Sequence, residues 1–229
     1  NIVSPPFLYQ GSPSFIQIKN GLVGCWSFTD GQWQQTVSDL RIEFDRPLTP
    51  PANRGPFAFA DRLKPREIQV VSIGTDTTVF ALRPNGSINY RDAALTELAG
   101  EGVDLDFDWH KLPFVSKQRQ LKPNQPLSSK LRWTAVALDG QSYVFALDQP
   151  VEEDDVATLV GLRRSGDKWE EFAEYSLIGN VADFAICGTG EPGRMVILTQ
   201  GKFGESHLFV VENGGITQTK RLGNIVPFL

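Results

Sequence analysis

The sequence predicts an all-β protein of short antiparallel strands, and three observations point to this class. Two-residue turns of Asn or Asp followed by Gly recur along the chain, and such turns accept the positive φ angles of type I′ hairpins. The residues that flank these turns are rich in β-branched and aromatic types, which favour strands. The 21 glycines and 15 prolines among 229 residues favour many turns over long helices.

Hairpins account for most of the predicted strands. The Asx-Gly dipeptides are Asn20-Gly21, Asp30-Gly31, Asn85-Gly86, Asp139-Gly140 and Asn213-Gly214. In the clearest cases an apolar run precedes the dipeptide and a second run follows it, as in residues 133–138 and 142–147 around Asp139-Gly140. Several such pairs at short spacing are typical of a sandwich, a barrel or a propeller.

Helices are predicted only as short segments, at residues 92–98 and 169–177. Neither segment is long enough for the crossover of a βαβ unit, so a parallel α/β sheet is disfavoured. Two stretches rich in Pro, Asn and Lys, at residues 46–56 and 117–129, are interpreted as long loops or insertions.

A longer repeat underlies the hairpins. Strand, turn, strand and a closing segment recur in about four units of about 50–65 residues, somewhat longer than the familiar propeller repeats. The units begin near Phe15, Gln69, Leu131 and Ala182, and the first three end near Trp33, Trp109 and Trp169. We expect residues 1–229 to form a single domain.

The unit from Val70 to Arg91, followed by Trp109, resembles a blade of the tectonin-type and tachylectin-type β-propeller lectins. Blades of these families read as a hydrophobic strand, Gly-Asp, a strand, Asn/Asp-Gly, a strand and then Trp. The resemblance implies a small β-propeller of about four to five blades, and a β-sandwich or barrel is the alternative architecture. It also implies a lectin-like, carbohydrate-binding function.

Composition and charge exclude several functional classes. The 22 basic and 27 acidic residues give a net charge of −5, which disfavours a nucleic-acid partner. No apolar run reaches the length of about 18 residues that a membrane span needs. The only methionine is Met195, so we expect a processed chain or a piece of a longer one. We interpret Cys25 and Cys187 as two buried free thiols, with a single disulfide as the alternative.

No sequence motif indicates a particular reaction or cofactor. Gly188, Gly190 and Gly193 have the G-x-G-x-x-G spacing, but a strand and not a helix follows them, so we interpret the segment as a hairpin loop. Asp104, Asp106 and Asp108 resemble the D-x-D-x-D-G calcium loop of some propellers, but Trp109 stands where the glycine should be. We interpret them, like the acidic run at residues 152–155, as a solvated loop. The two histidines lie far apart in the sequence, and neither a metal site nor a hydrolase triad is predicted.

The candidate ligand-binding residues are the like-placed tryptophans and two arginines: Trp33, Trp109, Trp169, Arg91 and Arg163. The resemblance to propeller lectins implies that an indole ring stacks on the apolar face of a sugar while a neighbouring arginine binds its hydroxyl groups. The alternative is that these rings pack between adjacent blades, because large aromatic side chains are usually buried.

The predicted function is therefore a non-enzymatic binding module for a glycan, and an extracellular location is favoured. A protein-interaction scaffold that uses the two long loops is one alternative. A propeller-type glycoside hydrolase is another, because two carboxylates suffice for that chemistry and acidic residues are plentiful.

Overall fold

The structure is a computed structural model. The chain divides into two compact units, Asn1–Leu112 and Pro113–Leu229. No helix among the described residues is long and apolar enough to cross a membrane. The described residues are 2–19, 22–41, 67–74, 76–83, 86–92, 110–116, 131–148, 156–178 and 181–224.

The first unit contains two antiparallel sheets. The first sheet has the order β1-β3-β4-β5, and β2 also pairs with β3. Its strands are β1 (Ile2–Val3), β2 (Phe7–Tyr9), β3 (Ser12–Lys19), β4 (Leu22–Thr29) and β5 (Gln32–Arg41). The second sheet has the order β6-β7-β8-β9. Its strands are β6 (Glu67–Ile73), β7 (Asp76–Leu82), β8 (Ile88–Asp92) and β9 (His110–Lys111).

The second unit contains two four-stranded antiparallel sheets, and in each sheet the strands follow chain order. The third sheet consists of β10 (Arg132–Leu138), β11 (Gln141–Asp148), β12 (Thr158–Ser165) and β13 (Lys168–Ser176). The fourth sheet consists of β14 (Val181–Gly188), β15 (Arg194–Gly201), β16 (Glu205–Glu212) and β17 (Gly215–Asn224).

A shared hydrophobic core joins the third and fourth sheets. Phe145 and Leu159 of the third sheet belong to one buried cluster with Ile197 and Phe209 of the fourth, and none of these side chains is more than 1% exposed. Burying a large apolar side chain contributes about 1.5–3 kcal/mol. The packing of these two sheets therefore fixes how their hairpin ends meet.

The predicted all-β class is confirmed, and the described residues form four antiparallel sheets. The predicted turns are confirmed where the structure describes them. Asp30, Asp139 and Asn213 have φ angles of 53°, 52° and 51°, and each is followed by a glycine with positive φ. The segment after Gly188 is the predicted hairpin loop between β14 and β15.

Two predictions were wrong. Residues 169–177 are not helical, because β13 pairs with β12 along its whole length and buries Trp169 and Tyr175; tertiary pairing overrides local helix propensity. Cys187 is exposed, although it is a free thiol like the buried Cys25. The alternation of β14 places Ala185 and Cys187 on the exposed face of that strand.

Other predictions lie outside the described residues. They comprise the Asn20-Gly21 turn, Asn85, the helix beyond Asp92, the loops at 46–56 and 117–129, and the acidic segments at 104–108 and 152–155. The interpretation of residues 1–229 as one domain stays a prediction.

Candidate functional site

A cleft of about 620 Å³ lies in the second unit, between the hairpin ends of the third and fourth sheets. We call it the Arg163 cleft. Its lining residues come from strands of both sheets and from three connections, the β10–β11 turn, the β14–β15 loop and the β16–β17 turn. The lining residues are Leu138, Asp139, Tyr143, Arg163, Glu170, Glu171, Phe172, Gly193, Arg194, Met195, Asn213 and Gly214.

An ion pair between Arg163 and Glu170 forms part of the wall on the third sheet. The register of β12 and β13 places the two residues directly opposite each other. Nε of Arg163 donates a hydrogen bond of 3.0 Å to Oε1 of Glu170, and Nη2 lies 2.9 Å from the same oxygen. Both side chains are nearly half exposed, so their remaining donor and acceptor atoms can bind a ligand.

Aromatic rings lie beside this ion pair. The Tyr143 and Phe172 rings meet edge to face with centroids 5.5 Å apart, and Cζ of Arg163 lies 5.8 Å from the Phe172 centroid. A register shift in the β12–β13 ladder lies between Gly161 and Leu162. A Cβ atom on Gly161 would lie only 2.8 Å from Cε1 of Phe172. The absence of a side chain at Gly161 therefore lets the Phe172 ring lie against the sheet.

Arg194 lies on the opposite wall, and two glutamates outside the lining pair with it. Its Nη1 donates a hydrogen bond of 2.6 Å to Oε2 of Glu191, and its Nε lies 3.1 Å from Oε1 of Glu212. The hydrogen bond and charge of Glu191 raise the pKa of the Arg194 guanidinium above its usual range, and Glu212 adds to this effect. Arg194 is thus held in place by carboxylates on both sides.

Tyr143 lies between charges of opposite sign. Burial raises the pKa of its phenol, the Asp139 carboxylate raises this pKa further, and the Arg163 guanidinium lowers it. The phenol therefore stays protonated near neutral pH, where its hydroxyl donates a hydrogen bond of 3.2 Å to Oε1 of Gln141.

The structure separates the residues that the sequence singled out. Among the candidate residues that the structure describes, Arg163 alone lines the cleft. Trp169 is 7% exposed and Arg91 is 8% exposed, whereas Trp33 is 46% exposed and belongs to the first unit. Trp109 lies outside the described residues. Trp33 and Trp169 each stand two residues after a hairpin turn, so their burial differs because of their surroundings and not because of their position in the repeat.

Sequence reasoning missed Tyr143, Glu170, Phe172 and Arg194 as cleft residues. Glu170 had a usable signal, because a hairpin around the Gly166–Asp167 turn places it opposite Arg163. Phe172 had none, since its position depends on the irregular register next to Gly161. Within the described ranges, no group of three or more His, Cys, Asp and Glu side chains is arranged to hold a metal ion.

Comparison with solved structures confirms the resemblance to β-propeller lectins at the level of the fold. The SapL1 lectin, solved with α-methyl fucoside, is 13% identical with a TM-score of 0.51, and the match covers 99% of this chain and 64% of that one. AofleA from Arthrobotrys oligospora is 12% identical with a TM-score of 0.55, and the match covers 96% of this chain and 56% of that one.

An enzyme shares the same fold. The exo-β-1,3-galactanase from Phanerochaete chrysosporium is 8% identical with a TM-score of 0.52, and the match covers 96% of this chain and 49% of that one. The chain thus spans from about half to just under two thirds of the length of these three structures. No protein-family model and no curated protein matches the sequence.

Proposed function

We propose that this chain is a non-enzymatic carbohydrate-binding protein that binds a pyranose ring in the Arg163 cleft. We propose further that the four described sheets are blades of a propeller with four or five blades. Fold likeness to a lectin solved with a sugar supports this assignment. The chemistry of the cleft supports it independently.

One observation carries the proposal: the Arg163–Glu170 ion pair lies directly beside the Phe172 and Tyr143 rings in one open cleft. A pyranose has an apolar C–H face and a rim of hydroxyl groups. Aromatic rings suit the face, and charged donors and acceptors form strong hydrogen bonds with hydroxyls. A cleft that offers both features at this size has the usual makeup of a ligand-binding pocket.

The remaining residues that the sequence singled out take different parts in this proposal. Trp33 is exposed beside the Phe15 and Phe28 rings, with centroids 5.0 and 5.4 Å away, and we assign it a stacking role in the first unit. Arg91 and Trp169 are buried, so they would act through packing. Trp109 stays a predicted ligand residue.

Binding measurements with matched variants test this function. A glycan array identifies a neutral ligand, and titration calorimetry then compares the wild type with Arg163→Ala and Phe172→Leu. We expect Arg163→Ala to weaken binding by about tenfold or more, because hydrogen bonds to charged groups are lost. Phe172→Leu keeps an apolar side chain but removes the ring, and we expect a loss of about three- to tenfold.

Arg221→Ala is the control for charge and folding. Arg221 is exposed on β17 and does not line the cleft, so its removal should leave the affinity unchanged. Thermal unfolding of each variant shows whether it is folded at the assay temperature. Absence of sugar binding in the wild type, or full binding in both folded cleft variants, would reject the proposed site.

A glycoside hydrolase is the second candidate, favoured by fold likeness to the galactanase and by the three carboxylates of Asp139, Glu170 and Glu171 that line the cleft. Two of them are already engaged, since Asp139 accepts a backbone hydrogen bond and Glu170 pairs with Arg163. Binding without hydrolysis is therefore the conclusion we prefer. Release of reducing sugar from β-1,3-galactan by the wild type, abolished by Glu171→Gln, would establish the enzyme instead.

A further inference from the structure

The Arg163 cleft carries an unequal set of charges. Two guanidinium groups line it, those of Arg163 and Arg194, against the three carboxylates of Asp139, Glu170 and Glu171. Arg163 is compensated by Glu170, which lies 2.9 Å away. Arg194 is compensated twice, by Glu191 and by Glu212 outside the lining. Neither arginine therefore contributes a free positive charge.

Asp139 and Glu171 keep their negative charges uncompensated. Oδ2 of Asp139 accepts a hydrogen bond from the Gly193 backbone N–H, which carries no net charge. Glu171 forms neither an ion pair nor a hydrogen bond among the described residues, and it is exposed. The potential in the cleft is therefore negative.

Tyr143 shows the effect of this potential on a group inside the cleft. Burial is the largest cause of the raised pKa of the Tyr143 phenol, and the Asp139 carboxylate then raises this pKa by more than the Arg163 guanidinium lowers it. An anionic group at this place is disfavoured by the same field, and a cationic group is favoured. Asp139 and Glu171 both line the cleft in which the sugar would bind.

We infer that the Arg163 cleft selects sugars with a free amino group, namely 2-amino-2-deoxy sugars in their ammonium form. It binds them more tightly than the N-acetylated sugar of the same ring, and it binds uronic acids and sulfated sugars least. The inference rests on the proposed function, because it concerns the ligand of the same site. Asp139 and Glu171 are the residues that determine this specificity.

The matched ligands are short oligomers of glucosamine, of N-acetylglucosamine and of a uronic acid, titrated calorimetrically at a pH below the pKa of the sugar amine. We expect the wild type to prefer the amino form by about two- to fivefold for each uncompensated carboxylate, the range typical of exposed ion pairs. Added salt should reduce this preference, because it screens exposed charges.

Glu171→Gln and Asp139→Asn test the two residues, and Glu174→Gln is the control. An asparagine at position 139 keeps an oxygen acceptor for Gly193 and tolerates the φ of 52° found there. Glu174 is exposed on β13 outside the cleft. We expect each cleft variant to lose part of the amino-sugar preference and the control to keep it.

The outcomes distinguish this inference from the proposed function. Equal affinity of the wild type for the amino, acetylated and acidic forms would overturn the inference and leave sugar binding intact. An equal loss in Glu174→Gln would also overturn it, because the preference would then arise from the net charge of −5 and not from the cleft. Absence of binding to every sugar would overturn both.

Discussion

The backbone N–H of Gly193 donates a 3.0 Å hydrogen bond to Oδ2 of Asp139, which lies 54 residues earlier in the chain. The carbonyl oxygen of Gly193 accepts a hydrogen bond of 3.0 Å from the N–H of Asn213. One residue therefore connects the β10–β11, β14–β15 and β16–β17 hairpin ends. Because all three ends line the Arg163 cleft, this small network sets the shape of its rim.

Replacement of Asp139 by alanine should destabilise the second unit. The substitution removes the hydrogen bond to Gly193, a loss of about 0.5–1.5 kcal/mol. It also places alanine at a φ of 52°, which costs roughly another 1 kcal/mol. The free energy of unfolding from urea denaturation measures the change. Asp139→Asn is the control and should stay close to the wild type; equal stability of the alanine and asparagine variants would contradict the assigned contact.

Gly161→Ala should both destabilise the protein and weaken sugar binding. The added Cβ would lie 2.8 Å from Phe172 Cε1 and 3.1 Å from Phe145 Cε1, and overpacking of this kind costs about 1–3 kcal/mol. Gly215→Ala is a matched control, because the nearest atom to its Cβ is the Glu212 carbonyl oxygen at 3.9 Å. Urea denaturation and sugar titration compare the two. A Gly161→Ala protein as stable as Gly215→Ala would show that Phe172 does not depend on this close approach.

The hairpins could be predicted from the sequence, whereas the cleft could not. A turn such as Asp139-Gly140 is determined by local backbone preferences, and it fixes the strands on either side. The Arg163–Glu170 pair follows from one further step, the register around a turn. The approach of Arg194 to the third sheet depends instead on how two sheets pack. The sequence contains no local signal for that packing, so the second wall of the cleft was missed.

Cys187 should react with a thiol reagent in the folded protein, and Cys25 should not. Cys187 is exposed on β14, and Cys25 is 2% exposed in the first sheet. Titration with a chromogenic disulfide should therefore detect one of the two thiols before denaturation and both afterwards. A Cys187→Ser variant should show no reaction until it is unfolded. Rapid reaction of the folded variant would contradict the burial of Cys25.

Tyr175→Phe should stabilise the protein. The Tyr175 ring lies in the core shared by the third and fourth sheets, and its hydroxyl has no hydrogen-bond partner among the described residues. A buried polar group without a partner costs about 1–3 kcal/mol, and phenylalanine removes it without leaving a large cavity. Urea denaturation measures the gain. Tyr143→Phe is the comparison, because it removes a hydroxyl that donates to Gln141 and should give no gain.

The same hydroxyl predicts how stability changes at alkaline pH. Burial raises the pKa of Tyr175 from the ordinary tyrosine value of 10.0 to about 12, and Tyr143 contributes to the shift. The folded state therefore keeps this proton when the unfolded chain has already released it. The contribution of the Tyr175 phenol to stability is fully present below about pH 10, and it is lost as the pH rises toward about 12.

Comparison of the wild type with Tyr175→Phe between pH 8 and about 12 isolates this contribution, since only the wild type carries the phenol. We expect the two free energies of unfolding to diverge above about pH 10, with the wild type losing up to about 2 kcal/mol more. Parallel curves would mean that the phenol ionises as easily in the folded protein as in the unfolded chain. That result would place the Tyr175 hydroxyl in contact with solvent and remove it from the core.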